Sequence, residues 1–246
     1  MITRLVQILI FTIASIFTGG HLYGQSVKIK DVLDKATTFY TTKNQYRIDM
    51  KFTMYRGFSG NNKTESYTGI MERNGDYMKN SILNTTIYQY PKSKIIIDDD
   101  VKTLTYTLVD MQSLQNVPVD LNIFLEYYKE SQVIDGGKVW ICEMVYVDEK
   151  ILAPPYGKVV LYIDKKDYSI QKQELFFSNR IPFKSKKGNE IEQDYGRLVI
   201  TLSHDMNVTI TPKNQSDFIS VNNSNSIRLS ETYSSYQLIN STTNNN

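Results

Sequence analysis

The chain has 246 residues, 41% of them hydrophobic, with 28 Lys and Arg against 26 Asp and Glu, for a net charge of +2. That length and apolar content support one domain with a real core, and the near-neutral balance excludes a strongly basic nucleic-acid binder. One cysteine and two histidines exclude a disulfide framework and a Cys/His metal finger.

Met1 to Gly24 reads as an export signal: Arg4 supplies the positive charge, Leu5 to Phe17 the apolar run, and Gly24 the small residue before Gln25. The predicted division is residues 1–24 as signal peptide, 25–239 as one domain, and 240–246 as a disordered polar tail. No cysteine stands at the cleavage site near Gly24/Gln25 to be acylated, which predicts a periplasmic chain with no stable membrane insertion. Cys142, flanked by Ile141 and Glu143, reads as a buried structural thiol.

The period of the apolar residues then gives the elements. Lys28 to Thr42 predicts a helix, with Ile29, Val32, Leu33, Ala36 and Phe39-Tyr40 on one face. Gln45 to Arg56 alternates Tyr46, Ile48, Met50, Phe52 and Met54 with polar residues, the pattern of a strand wet on one side. Strands are predicted for Glu65–Arg73 and Tyr77–Ser81 around the turn Asn74-Gly75-Asp76, then for Thr85–Tyr90, Ser93–Asp98 and Val101–Val109. Asp120 to Ser131 reads as a second helix, capped by Asp120, with Leu121, Phe124, Leu125 and Tyr128 as its stripe. Further strands are expected at Lys138–Val147, Lys158–Ile163, Ser169–Phe177 and Arg197–Ser203, with one or two more in Ser226–Leu238. Pro182 to Asn189 reads as a solvated hairpin tip, and Asp98-Asp99-Asp100 as a polar turn lacking the spaced oxygens of a calcium loop. The fold class is therefore α+β: short antiparallel strands joined by tight turns, interrupted by helices.

Four stretches in this order resemble the periplasmic lipoprotein carrier (LolA-like) family. They are the helix before Ile48–Tyr55, the strand opening Gly69-Ile70-Met71, the pair Ile95-Ile96-Ile97-Asp98 with Thr103-Leu104-Thr105-Tyr106, and the pair Val159–Asp164 with Gln171–Leu175. The resemblance implies an unclosed half-barrel sheet, covered by helices, with an apolar cavity that shelters acyl chains. It also implies a function without catalysis or cofactor, as a carrier or sensor of lipoprotein acyl chains or another envelope lipid. The expected lining is Ile48, Met50, Phe52 and Met54, then Leu104 and Tyr106, Trp140 and Met144, and Tyr162. Methionine suits such a wall because its thioether repacks around variable cargo. The alternative is the same fold with a filled core, acting as a scaffold for envelope or secretion proteins.

Overall fold

The computed structural model describes residues 27–108, 121, 125, 127–147, 154–185, 190–221 and 226–240. The export signal, Asp120 and Phe124 of the second predicted helix, Val109 and residues 241–246 lie outside them.

Helix α1 spans Ile29–Thr42, as its three- and four-residue spacing predicts, and buries Val32, Leu33, Ala36 and Tyr40. The strands that follow are β1 (Gln45–Arg56), β2 (Lys63–Asn74), β3 (Tyr77–Ile82), β4 (Thr85–Tyr90), β5 (Ser93–Asp98) and β6 (Thr103–Leu108). Then come β7 (Glu130–Asp135), β8 (Val139–Val145), β9 (Tyr156–Asp164), β10 (Ile170–Phe177), β11 (Ile181–Lys184), β12 (Ile191–Asp194) and β13 (Gly196–Asp205). The last three are β14 (Ile219–Val221), β15 (Ile227–Leu229) and β16 (Gln237–Asn240).

Twelve of these strands form one curved, unclosed sheet in the order β16-β6-β5-β4-β3-β2-β1-β13-β10-β9-β8-β7. Every pairing is antiparallel except β16 with β6, which is parallel. Strands β11 with β12 and β14 with β15 make two separate ribbons.

Four sequence expectations need correction. The second helix does not reach Ser131: Leu121, Leu125 and Tyr127 are helical, but Glu130 and Ser131 already belong to β7. Pairing with β8 overrides the local helical pattern there. Covering of the sheet by helices is narrower than expected, with α1 and the buried Leu121 packed on one half of one face. Pro182, Phe183 and Lys184 are not loop but strand β11, and Ser185 N–H donates to Glu190 O. Asn240, placed in the tail by composition, pairs with Tyr106 in β16.

Residues directly opposed across a ladder point to the same side, so register assigns each side chain to a face. Ile48 lies opposite His204 and Met71, Met50 opposite Leu202 and Gly69, and Phe52 opposite Ile200 and Tyr67. Carrying this register across β10, β9 and β8 puts Gln173, Leu161 and Cys142 on that same inner face. Here α1 packs, and the main core forms from Val32, Leu33, Tyr46, Ile48, Met144, Leu161 and Ile163.

The same bookkeeping puts Tyr77, Tyr88, Ile95, Ile97, Leu104 and Tyr106 on the opposite face. They form a second core beneath Val208, Ile210, Phe218, Ile219, Ile227 and Tyr233. Asn74 Nδ2 donates to Ile210 O (2.8 Å) and Ile210 N–H to Gln45 Oε1, tying this cover to the outer side of β1 and β2. The sheet is thus packed on opposite faces at its two ends.

Two glycines are required by geometry. Gly75 turns β2 into β3 with φ +59°, a conformation that favours glycine. At Gly69 a Cβ would stand 2.9 Å from Ser81 O and 3.1 Å from Phe52 Cε2, so the inner face there has room only for a hydrogen.

Candidate functional site: an apolar cavity beneath the end of the helix

Between the C-terminal turn of α1 and the inner face lies a cavity of about 150 Å³. Tyr40 comes from the helix, Ile48 and Met50 from β1, Met71 from β2, Ile170 and Gln173 from β10, and Ile200 and Leu202 from β13. The alternation of β1 places two of these side by side, and the long β1–β13 pairing brings Ile200 and Leu202 against them. Beyond the cavity the apolar strip continues through Phe52 and Met54, half-buried like Met50, and Phe52 stacks on Tyr67 with ring centroids 5.1 Å apart.

The roof is held by polar bonds. Arg73, itself buried, donates from Nη1 to Tyr40 O (3.1 Å) and from Nε to Gly75 O (3.0 Å). A cation at the carbonyl end of a helix satisfies groups that have no partner inside it. The Tyr40 hydroxyl accepts Ile170 N–H (2.9 Å) and lies 2.9 Å from His204 Nε2. Burial pushes the Tyr40 phenol up, so it keeps its proton. Burial holds the His204 imidazole below its ordinary value, with the Asp167 carboxylate opposing.

The pH consequence has a definite sign. A base with a depressed folded pKa is neutral when folded and takes up a proton more readily when unfolded. Stability is complete above the unfolded value of about 6.5 and falls as pH drops through it. Denaturant melts at pH 7.5 and 5.5 should show lower stability at 5.5, with a smaller difference in His204→Gln. An equal difference in both proteins would assign the loss to other groups.

The predicted lining residues divide by face. Ile48 and Met50 line the cavity; Phe52 and Met54 continue its strip. Met144 is fully buried in the main core, and Trp140 is half-buried at its margin with Lys165 Nζ 4.1 Å from the ring centroid. Leu104 and Tyr106 stand in the second core, on the other side of the sheet. Tyr162 also faces outward, donating to Glu174 Oε1 (3.1 Å) beneath Lys172 Nζ (3.6 Å from the ring centroid). Alternation within a strand is legible in sequence, but which side of the sheet it addresses depends on register with distant strands. Sequence reasoning missed Tyr40, Met71, Ile170, Gln173, Ile200 and Leu202 as lining; the alternation of Ile200 and Leu202 in β13 was the available signal.

Cys142 is fully buried beside Leu161, and desolvation raises its thiol to about 12. A thiol so protonated is a poor nucleophile at neutral pH. Cys142→Ala should fold with a stability loss of about 1 kcal/mol, and the native thiol should resist alkylation. Labelling of the folded protein as fast as of unfolded protein would contradict the burial. Among the described residues no three His, Cys, Asp or Glu side chains gather as a metal site, and no helix is long and apolar enough to cross a membrane.

No family model and no curated protein matches this chain. Among solved structures it is similar to a LolA superfamily protein from Nitrosomonas europaea, at 12% identity and TM-score 0.32, over 76% of this chain and 96% of that one. It is also similar to LprF from Mycobacterium bovis, at 13% identity and TM-score 0.34, over 77% of this chain and 98% of the other. At such scores the likeness carries no argument about function, which rests on this chain's own sheet and cavity.

Proposed function

We propose that this chain is a LolA-like, non-enzymatic carrier or sensor, exported to the periplasm, that holds acyl chains of a lipoprotein or other envelope lipid. The observation that supports it most is the apolar cavity beneath α1, walled on β1 by Ile48 and Met50, with half-buried Phe52 and Met54 following on the same face of that strand. Carrying an acyl chain through water requires covering apolar area worth about 25 cal/mol per Å², and an apolar recess between sheet and helix supplies that cover. Export is read from the Arg4–Gly24 pattern.

Met50 and Met54 provide the test. Truncating a methionine in a filled core costs roughly 2–5 kcal/mol. At a cavity wall, as at Met50, and on the half-buried strip beyond it, as at Met54, fewer contacts are lost, and Met50→Ala and Met54→Ala should each cost about 1 kcal/mol. Both should weaken saturable binding in a fluorescent fatty-acid displacement assay, since they remove apolar surface along the path of the chain. Large stability losses, with no saturable binding by folded wild-type protein, would support the scaffold reading. Lipid mass spectrometry on protein purified from its native periplasm identifies the cargo.

A further inference from the structure

Gln173 is out of place in the cavity. It is 8% exposed, and its ladder partners on either side are Leu161 and Ile200. Seven other residues line the same cavity, and of these only Tyr40 carries a strong side-chain hydrogen-bonding group. That hydroxyl is engaged by Ile170 N–H and His204. The Gln173 carboxamide, by contrast, makes no hydrogen bond to any described residue. The amide is not sealed in protein: the buried side-chain atoms without a partner among the described residues are Thr37 Oγ1, Tyr46 Oη, Asn80 Oδ1 and Arg197 Nε, so the Gln173 carboxamide offers its two donors and one acceptor to whatever fills the cavity, which a leucine or methionine would not.

We propose that Gln173 recognises the carbonyl group of an acyl chain, so that the cavity selects O-acyl or N-acyl lipids over plain hydrocarbon or ether-linked chains. This rests on the carrier reading above. The amide N–H donates to the acyl carbonyl, which lies at the junction between the hydrocarbon tail and the polar part of the lipid. The tail then runs along Met50, Ile200 and Leu202, all wall residues without a competing polar group. An ionised fatty acid fits less well, because among the described residues no Lys or Arg lines the cavity to offset burial of its charge. Gln173 is thus a specificity-determining residue, and the carbonyl sets the depth at which the chain is held.

The experiment compares three probes of equal chain length in displacement titrations: 1-decanoylglycerol, its ether analogue 1-O-decylglycerol, and N-decanoylethanolamine. Wild-type protein should bind the ester and the amide about fivefold to tenfold tighter than the ether, the worth of one hydrogen bond in a dry site. The order of ester and amide tells which linkage is the natural one. Gln173→Met, close in volume, should bind all three alike and keep its affinity for the ether. Equal affinity of wild type for ester and ether, with saturable binding of both, would overturn the role of Gln173 while leaving the carrier intact. No binding of any probe by folded wild type would remove the carrier reading itself. The wild-type comparison decides the matter even where the variant folds poorly.

Discussion

Leu33→Ala should destabilise the protein by about 2–5 kcal/mol, measured by the shift of a denaturant midpoint at unchanged slope. Leu33 is fully buried in the centre of α1, between Val32 and Ala36 of the same apolar stripe. Its side chain belongs to the main core formed with β1 and the β8–β10 strands. Removing it deletes buried methyl and methylene groups and leaves a void that a helix seated on a sheet closes only in part. An exposed position on the same helix makes the control: Thr38→Ala, whose hydroxyl donates only to Asp34 O within the helix, should change stability by no more than about 0.5 kcal/mol. Equal small effects at both positions would mean that α1 does not pack as described.

Arg73→Ala should cost about 3 kcal/mol. The guanidinium is buried and donates to two main-chain carbonyls, Tyr40 O at the end of α1 and Gly75 O in the β2–β3 turn. Hydrogen bonds from a charged donor contribute about 1.5–3 kcal/mol each, and their loss leaves carbonyls buried without partners. Arg73→Lys should recover little of this, because one ammonium on a flexible stem does not reproduce a planar fork reaching two separate acceptors. Since Tyr40 roofs the cavity, hydrogen exchange should rise in the last turn of α1 before it rises in β9 or β10. Protection lost evenly across α1 and the central strands would argue that Arg73 supports the whole fold rather than this end of the helix.

Much of the sheet is legible locally because its strands alternate cleanly. Tyr46, Ile48, Met50, Phe52 and Met54 define β1 to the residue, and Thr85–Tyr90 and Ser93–Asp98 have the bounds their patterns predict. The elements that sequence misses are those whose stability comes from neighbours. Glu130–Asp135 is almost wholly exposed, and its extended form is dictated by pairing with β8 along one edge of the sheet. Ile181–Lys184 is a four-residue strand containing Pro182, held by its ribbon partner Ile191–Asp194. Gln237–Asn240 begins inside the stretch where one or two strands are expected, but its parallel partner, Thr103–Tyr106, is far away in the chain and no local period reports it.

By itself the sequence determined the α+β class, the position of α1, the order of short strands and the buried character of Cys142, all of which follow from short-range periodicity and composition. The tertiary structure alone decided the face each apolar residue serves. Leu104 and Tyr106 alternate as well as Ile48 and Met50 do, yet register turns the first pair toward Phe218 and the second toward α1. It also decided that Gln173, polar and unremarkable in sequence, stands in an apolar wall beside Ile200. The physical reason is that side-chain direction in a strand repeats every two residues. A strand therefore carries its own alternation, while the side of the sheet it addresses is set by hydrogen-bonded neighbours distant in the chain.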